Sequence, residues 1–496
     1  MKIAVEGCCH GELGAIYEQI RSLEHQNGYR VDALLICGDF QAIRNHQDLQ
    51  CMAVPQKYKR LGEFHKYYTG ELTAPVLTLV IGGNHEASNY LWELYHGGWL
   101  APNIYFLGHA GAVRLNGVRI AGASGIFKHQ DFRQGHYESV PYNSSSIRSI
   151  YHIREYNVRR LSLLPGARIF LSHDWPQGIE HHGDLRGLLR RKPFFRQDVQ
   201  SGSLGSPPLM GLLATLQPEW WFAAHLHVRF EATVVHSEGA PEQHAEPSAP
   251  EVAAANPDEI LIDDDDDDDE VQSGSKAAPQ QTRTPDPPTT TTAAPFHHAN
   301  PDEVLLDDEE EDVAAPPAPA PAPPPQHAAR TETKFLALDK CLPNRHFLEV
   351  IDVPSPSPTP TSPPTLAFDP DWLAITKAFA PYLSRGRRQA AFPDEAHARA
   401  AVAEARDWVV RNVPGKLAVA AEGGPWRVAD CQVFARVAPG PGAGDGGGGV
   451  EAEAGRAPPV YPNPQTDAFC SMLEIENKIT PPMTMQATTT QADRSA

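Results

Sequence analysis

IAVEGCCHGEL, residues 3–13, carries the reading that decides the fold: an apolar run ends, without any intervening loop, on Gly7-Cys8-Cys9-His10. A short apolar run bounded by glycine reads as a strand buried on both faces, the kind found at the centre of layered α/β domains. The same pattern returns four times downstream. ALLI (33–36) runs into Cys37-Gly38-Asp39, and VLTLVI (76–81) runs into Gly82-Gly83-Asn84-His85-Glu86. RIFL (168–171) runs into Ser172-His173-Asp174, and WWFA (220–223) into Ala224-His225-Leu226-His227. Helical patterns lie between the runs, so residues 1–235 predict an α/β domain built on parallel strands. AVRL and VRIAGA flank Asn116-Gly117, a pair suited to the positive φ angles of a tight hairpin.

Parallel strands gather their carboxyl ends along one edge of a sheet, where sites form. A lone histidine or a lone Gly-Asp there is ordinary turn chemistry. Jointly, Cys8, His10, Asp39, Asn84, His173, His225 and His227 supply imidazole, carboxylate, amide oxygen and thiolate, a set suited to borderline divalent cations. Gly38, Gly82 and Gly83 adjoin these residues, where a tight turn needs a residue without Cβ. Cys9 and Cys37 read as small core residues.

The order Cys8-x-His10, Gly38-Asp39, Gly83-Asn84-His85-Glu86, His173, His225-x-His227 resembles that of the calcineurin-like metallophosphoesterases. The resemblance implies a four-layer α/β/β/α sandwich in which Asp39 bridges two metals. It further implies that Cys8, His10, Asp39 and His227 surround one ion, that Asp39, Asn84, His173 and His225 surround the other, and that His85 is the general acid. Cys8 stands where the broad family has aspartate, so Fe²⁺ or Zn²⁺ is favoured over Mg²⁺, Mn²⁺ stays within reach, and either one or two ions act. Within that superfamily the chain is similar to the RNA lariat debranching enzymes, through GCCHGEL (7–13), SGIFK (124–128), PYNSSSIRSIYH (141–152), SHDWP (172–176), AHLHVRF (224–230) and KFLALDKCLPNRHFLEV (334–350). Gly14 departs from that pattern, which has aspartate after Gly-Glu-Leu.

The function implied is hydrolysis of the 2′-5′ phosphodiester at the branch point of excised intron lariat RNA, giving linear intron RNA. Water activated at the metal would attack, and His85 would protonate the departing oxygen. Nuclear residence follows from where lariats are made. The segment 124–160 mixes cations with aromatic rings, the pairing that holds splayed single-stranded RNA. Its expected substrate contacts are Lys128, Arg133, Tyr137, Arg148 and Arg154. Two other readings stay open: a general metallophosphatase or nuclease of the same fold, and a non-catalytic interaction scaffold.

Charge divides the chain. The net charge of −20 comes from residues 236–330, where 3 Lys or Arg face 23 Asp or Glu, whereas residues 128–196 hold 12 basic against 6 acidic residues. A polyanionic substrate is therefore compatible with the domain beside it. The segment 236–330 is Pro-, Ala- and acid-rich and is expected to be a disordered linker. It holds a duplication, Asn-Pro-Asp-Glu-Ile-Leu-Ile from Asn256 and Asn-Pro-Asp-Glu-Val-Leu-Leu from Asn300, each followed by a run of acids. Such motifs add a strand to the edge of a small SUMO-like modifier, or serve as plain spacers.

Residues 331–475 predict a smaller C-terminal α+β domain interrupted by a Gly-rich linker at 439–449, with a disordered tail at 476–496. KFLALDKCLPNRHFLEVIDV reads as two strands around a Pro-Asn turn. The 7 cysteines follow no disulfide spacing, which fits an intracellular protein. The longest apolar run, 76–81, is far short of the ~20 residues that span a membrane, so no membrane partner is expected.

Overall fold

The structure is a computed structural model, and it describes residues 1–236, 331–356, 361–417, 424–442 and 456–480. The acidic duplication, the end of the Gly-rich stretch and the last residues of the tail lie outside them.

The strands are β1 (Lys2–Glu6), β2 (Ala33–Ile36), β3 (Leu77–Val80), β4 (Gly98–Ala101), β5 (Ile104–Phe106), β6 (Ala110–Leu115) and β7 (Val118–Ala123). They continue with β8 (Ile169–Ser172), β9 (Trp220–Ala223), β10 (Phe230–Val235), β11 (Glu332–Ala337), β12 (Leu348–Asp352) and β13 (Leu366–Phe368). All five apolar runs are strands, and Asn116 and Gly117 turn the β6–β7 hairpin with φ of 45° and 84°.

Two sheets form, in the orders β12-β1-β2-β3-β5-β4 and β10-β11-β9-β8-β7-β6-β13. β1, β2, β3 and β5 run parallel in the first, and β11, β9, β8 and β7 run parallel in the second. Strand alternation assigns each residue its layer. Ile3, Val5, Leu35 and Leu79 point between the sheets and pack with Ile120, Ile169, Leu171 and Phe222. Ala4, Leu34, Ile36 and Val80 point outward, onto Leu13, Ile16, Tyr17 and Ile20 of the helix Leu13–Asn27. The helices Glu155–Ser162 and Pro207–Leu216 pack on each other and bury Leu161, Leu209 and Leu213. The fold is the expected four-layer sandwich with a smaller C-terminal α+β part. Among the described residues no helix is long and apolar enough to cross a membrane.

The C-terminal strands are built into the sandwich itself. β11 lies between β9 and β10, pairing Phe335 with Trp221 in parallel and with Ala232 antiparallel. β12 edges β1, with Val350 opposite Ala4, and β13 edges β6. KFLALDKCLPNRHFLEVIDV thus supplies two strands, but they never pair with each other. Both edges of β11 are already hydrogen-bonded, so the chain crosses at Asn344 (φ 61°) to the other sheet. The helices Pro370–Phe379 and Glu395–Asn412 pack together, and their Leu373 and Val409 continue the core between the sheets.

The tail begins later than expected. Lys478 Nζ donates to the carbonyls of Ala380, Pro381 and Leu383 at 3.1–3.2 Å, and Ile479 is buried, its carbonyl accepting from Trp92 Nε1. Residues 476–480 therefore belong to the packed part. An ammonium donating to three carbonyls just past the helix Pro370–Phe379 anchors a segment that composition alone marks as polar and loose.

Candidate metal centre

The loops after β1, β2, β3, β8 and β9 bring the proposed ligands to one rim. Ligand atoms of Cys8, His10, Asp39 and His227 all lie within 4.8 Å of one another. His10, Asp39, His225 and His227 have φ of 45°, 46°, 62° and 47°, the left-handed region that non-glycine residues avoid. Each such residue costs about 1–3 kcal/mol, and such strain clusters at functional sites. It turns the chain sharply at the strand end, so the side chain faces the neighbouring loop.

Asp39 is the hub. Its Oδ2 is 3.4 Å from His173 Nε2 and 3.7 Å from both His10 Nε2 and His85 Nδ1. Its Oδ1 accepts the His85 backbone N–H at 2.8 Å. Burial pushes the Asp39 carboxyl up, but His173, His85 and His10 together hold it well below the usual range. His173 Nδ1 is 2.8 Å from the Cys37 carbonyl, so that nitrogen carries the proton. Its Nε2 then faces Asn84 Oδ1 at 3.0 Å and Asp39 Oδ2, which are acceptors only. The carbonyl-anchored imidazole is the arrangement that fixes a metal-binding tautomer.

The donor set fits a divalent cation. His10 Nε2 and His227 Nε2 stand 3.2 Å apart, and His225 and His173 have ring centroids 5.1 Å apart. Burial and then His173 depress His225 to about 3, and burial and then His10 depress His227 well below its ordinary value. Both rings are therefore neutral, as imidazole ligands must be. Cys8 is fully buried, and its Sγ accepts the His225 backbone N–H at 3.2 Å. Burial, with Asp39 and Glu6 beside it, pushes the thiol well up. A cation at the same place would favour its thiolate.

Glu86 was not singled out in the sequence. It is buried, and its carboxylate accepts the backbone N–H groups of Phe40, Gln41 and Gly83 at 2.8–2.9 Å, clamping the Asp39 loop to the Asn84 loop. A Cβ on Gly83 would collide with Asp39, and one on Gly38 with His173. Cys9 and Cys37 are core residues as expected.

Beyond the rim, the residues expected to touch substrate differ among themselves. Arg133 and Arg148 are exposed; Lys128 and Tyr137 are half-buried. Tyr137 Oη lies 3.2 Å from Ser149 Oγ, with Arg387 over its ring. Arg154 is not a surface contact. It is fully buried, paired with Glu138 at 2.5 Å and donating to the carbonyls of Asp131 and Ser149. A guanidinium enclosed by a carboxylate and carbonyls braces the loop from within. Two further supports were invisible in the sequence. Asp174 Oδ2 accepts the Phe127 N–H at 3.0 Å, tying this segment to the His173 loop. From the C-terminal part, Ser384 and Arg387 carbonyls accept from His136 and Gly135, and Arg385 donates to the His136 carbonyl.

Residues 1–229 match the family of Calcineurin-like phosphoesterase domains, the class of hydrolase that this sandwich and this rim of ligands define. Residues 330–478 match the family described as Lariat debranching enzyme, C-terminal domain. The "Lariat debranching enzyme" of Drosophila melanogaster is 52% identical over 376 residues, 76% of this chain and 60% of that protein. That of Homo sapiens is 43% identical over 76% of this chain and 54% of its own length, and that of Arabidopsis thaliana 39% identical over 83% and 76%. The chain belongs to the lariat debranching enzyme family. It spans about half to three-fifths of the length of the animal relatives. Divalent metal ions are the cofactor class that this family membership implies.

Proposed function

We propose that the chain hydrolyses the 2′-5′ phosphodiester at the branch of intron lariat RNA and releases linear intron RNA. The observation that carries this is the convergence of Cys8, His10, Asp39 and His227 within 4.8 Å at the rim where the strand ends of both sheets meet. The names borne by the relatives support the branched substrate. Cys8, His10, Asp39 and His227 would hold one ion, and Asp39, Asn84, His173 and His225 a second. Bound there, the ions supply Lewis acidity toward water and phosphate. His85, 3.7 Å from Asp39 and partly exposed, is placed to hand a proton to the departing 2′ oxygen. A thiolate at Cys8 selects Zn²⁺ or Fe²⁺, with Mn²⁺ next, over Mg²⁺. Lys128, Arg133, Tyr137 and Arg148 would face the RNA, with Arg154 behind them. Ile260-Leu261-Ile262 and Val304-Leu305-Leu306, each abutting acids, would add a strand to a SUMO-like modifier. A nuclear location goes with the substrate.

The test is metal analysis of the purified protein together with hydrolysis of branched 2′-5′ RNA, linear RNA, linear DNA and a phosphopeptide. Release at the branch alone is expected. Equal turnover of linear strands or of the phosphopeptide would replace this reading with a general phosphatase or nuclease. Absence of bound metal and of turnover would leave a scaffold.

A further inference from the structure

Some exposed arginines are paired with an acid close in sequence: Arg159 with Glu155, Arg399 with Glu395, Arg427 with Asp430. One stretch concentrates cations without any acid. LRGLLRRKPFFR, residues 185–196, holds five arginines or lysines and no acid. Arg186, Arg190 and Arg196 are exposed, and none forms an ion pair with any described residue. The stretch is held in place nonetheless. Asp184 caps the helix Leu185–Arg191 by accepting the Gly187 N–H, and Leu188 and Phe195 are fully buried. Phe194 alone is turned outward, 45% exposed, with Lys192 Nζ 5.6 Å from its ring centre. A fixed, outward aromatic ring in a stretch whose Arg186, Arg190 and Arg196 form no ion pair with any described residue matches the way single strands are held, by base stacking and phosphate neutralisation.

The stretch adjoins the metal centre. Gly183, two residues before it, forms a β-bridge with Ala232 of β10, which pairs with β11, and just past β11 Arg345 Nη1 lies 3.7 Å from Asp339 Oδ2. Lys340 forms a β-bridge with Cys8, one of the proposed ligands. The second sheet runs β11-β9-β8-β7, so residues following β11 lie on one side of the His173 and His225 loops. Residues following β7, which begin the segment 124–160, lie on the other.

We infer that residues 186–196 with Lys340 and Arg345 form a second RNA platform, which holds a single-stranded arm of the branched substrate as it leaves the metal centre away from segment 124–160. The inference rests on the proposed debranching reading for its substrate, and it adds a contact surface that reading does not require. Phe194 stacks on a base, and the cations follow the backbone.

The experiment measures binding, by fluorescence anisotropy across a salt series, of the full chain to branched RNA with long arms and to the same branch with arms trimmed away. Replacing Arg186, Arg190 and Arg196 by alanine should weaken long-armed RNA about tenfold or more and lower the salt slope by about 2, since each single-strand phosphate contact contributes roughly 0.7. Phe194→Ala should weaken long-armed RNA about tenfold with the slope kept, and Phe194→Trp should restore it. Equal losses on long-armed and trimmed RNA, or none on either, would overturn the platform. An acidic peptide that competes as well as an RNA arm of equal charge would assign the surface to protein and overturn it too. Melting curves of each variant exclude unfolding as the cause. Cleavage is scored separately: wild-type protein that binds long-armed RNA better than trimmed but never cuts the branch defeats the debranching reading alone.

Discussion

The Nε2 atoms of His10 and His227 face each other at 3.2 Å, although 217 residues separate them in the chain. Two ring nitrogens at that distance need a proton or a cation between them, and Asp39 Oδ2 lies 3.7 Å from the first. Loading the stripped protein with Zn²⁺ or Mn²⁺ should therefore stabilise it, by about 2.7 kcal/mol at a hundredfold excess over Kd. The readout is Tm with and without chelator, expected to differ by several degrees. His227→Ala should abolish most of the difference; an unchanged Tm on metal addition to wild type would sink the assignment.

His85 contributes its ring from beside Asp39 and its backbone N–H to Asp39 Oδ1. His85→Ala keeps the backbone bond and removes only the ring. Metal content should stay at the wild-type level while turnover of branched RNA falls by about 10² or more, the scale of general acid catalysis. Unaltered turnover would remove His85 from the chemistry.

Arg154 and Arg133 should behave oppositely. Removing one member of a buried pair leaves Glu138 uncompensated, at a cost of about 3–5 kcal/mol. Arg154→Ala is expected to lower the urea midpoint and to open residues 130–143 to protease first. Arg133→Ala, at an exposed position, should stay within about 0.5 kcal/mol of wild type. Equal midpoints for the two variants would contradict the buried role.

Three histidines predict acid sensitivity. His96 and His109 are depressed to about 3, chiefly by burial and next by nearby arginines, and His136 lies well below its ordinary value for the same reasons. Each stays neutral in the fold but protonates when unfolded near pH 6.5. The unfolded chain therefore binds more protons below that pH. Stability is full above about 6.5 and falls as pH drops toward 3, by up to about 1.4 kcal/mol per pH unit for each histidine. Urea midpoints at a series of pH values measure this. His109→Phe should flatten the fall, and an identical slope would rule the cluster out as its source.

Much of the site was legible in the sequence because its signals are local. Apolar runs at strand spacing mark β1, β2, β3, β8 and β9, and the metal-ligating residue types follow each run within a few positions. Glu86 was missed because a carboxylate that accepts three backbone N–H groups leaves no compositional trace. Arg154 was misassigned for a related reason: a cation among aromatic residues looks the same in sequence whether it faces RNA or a buried Glu138.

By itself, the sequence determined which segments become strands and helices, which end on candidate ligands, and which family the chain joins. Those follow from side-chain periodicity and residue type within a few positions of each other. Only the tertiary structure decided that β11 enters between β9 and β10, that β12 edges β1, and that Lys478 secures the start of the tail. Each of these depends on a partner about a hundred residues away or more, chosen by whichever backbone edge or carbonyl is left unpaired once the rest has packed. Local spacing carries no record of that choice.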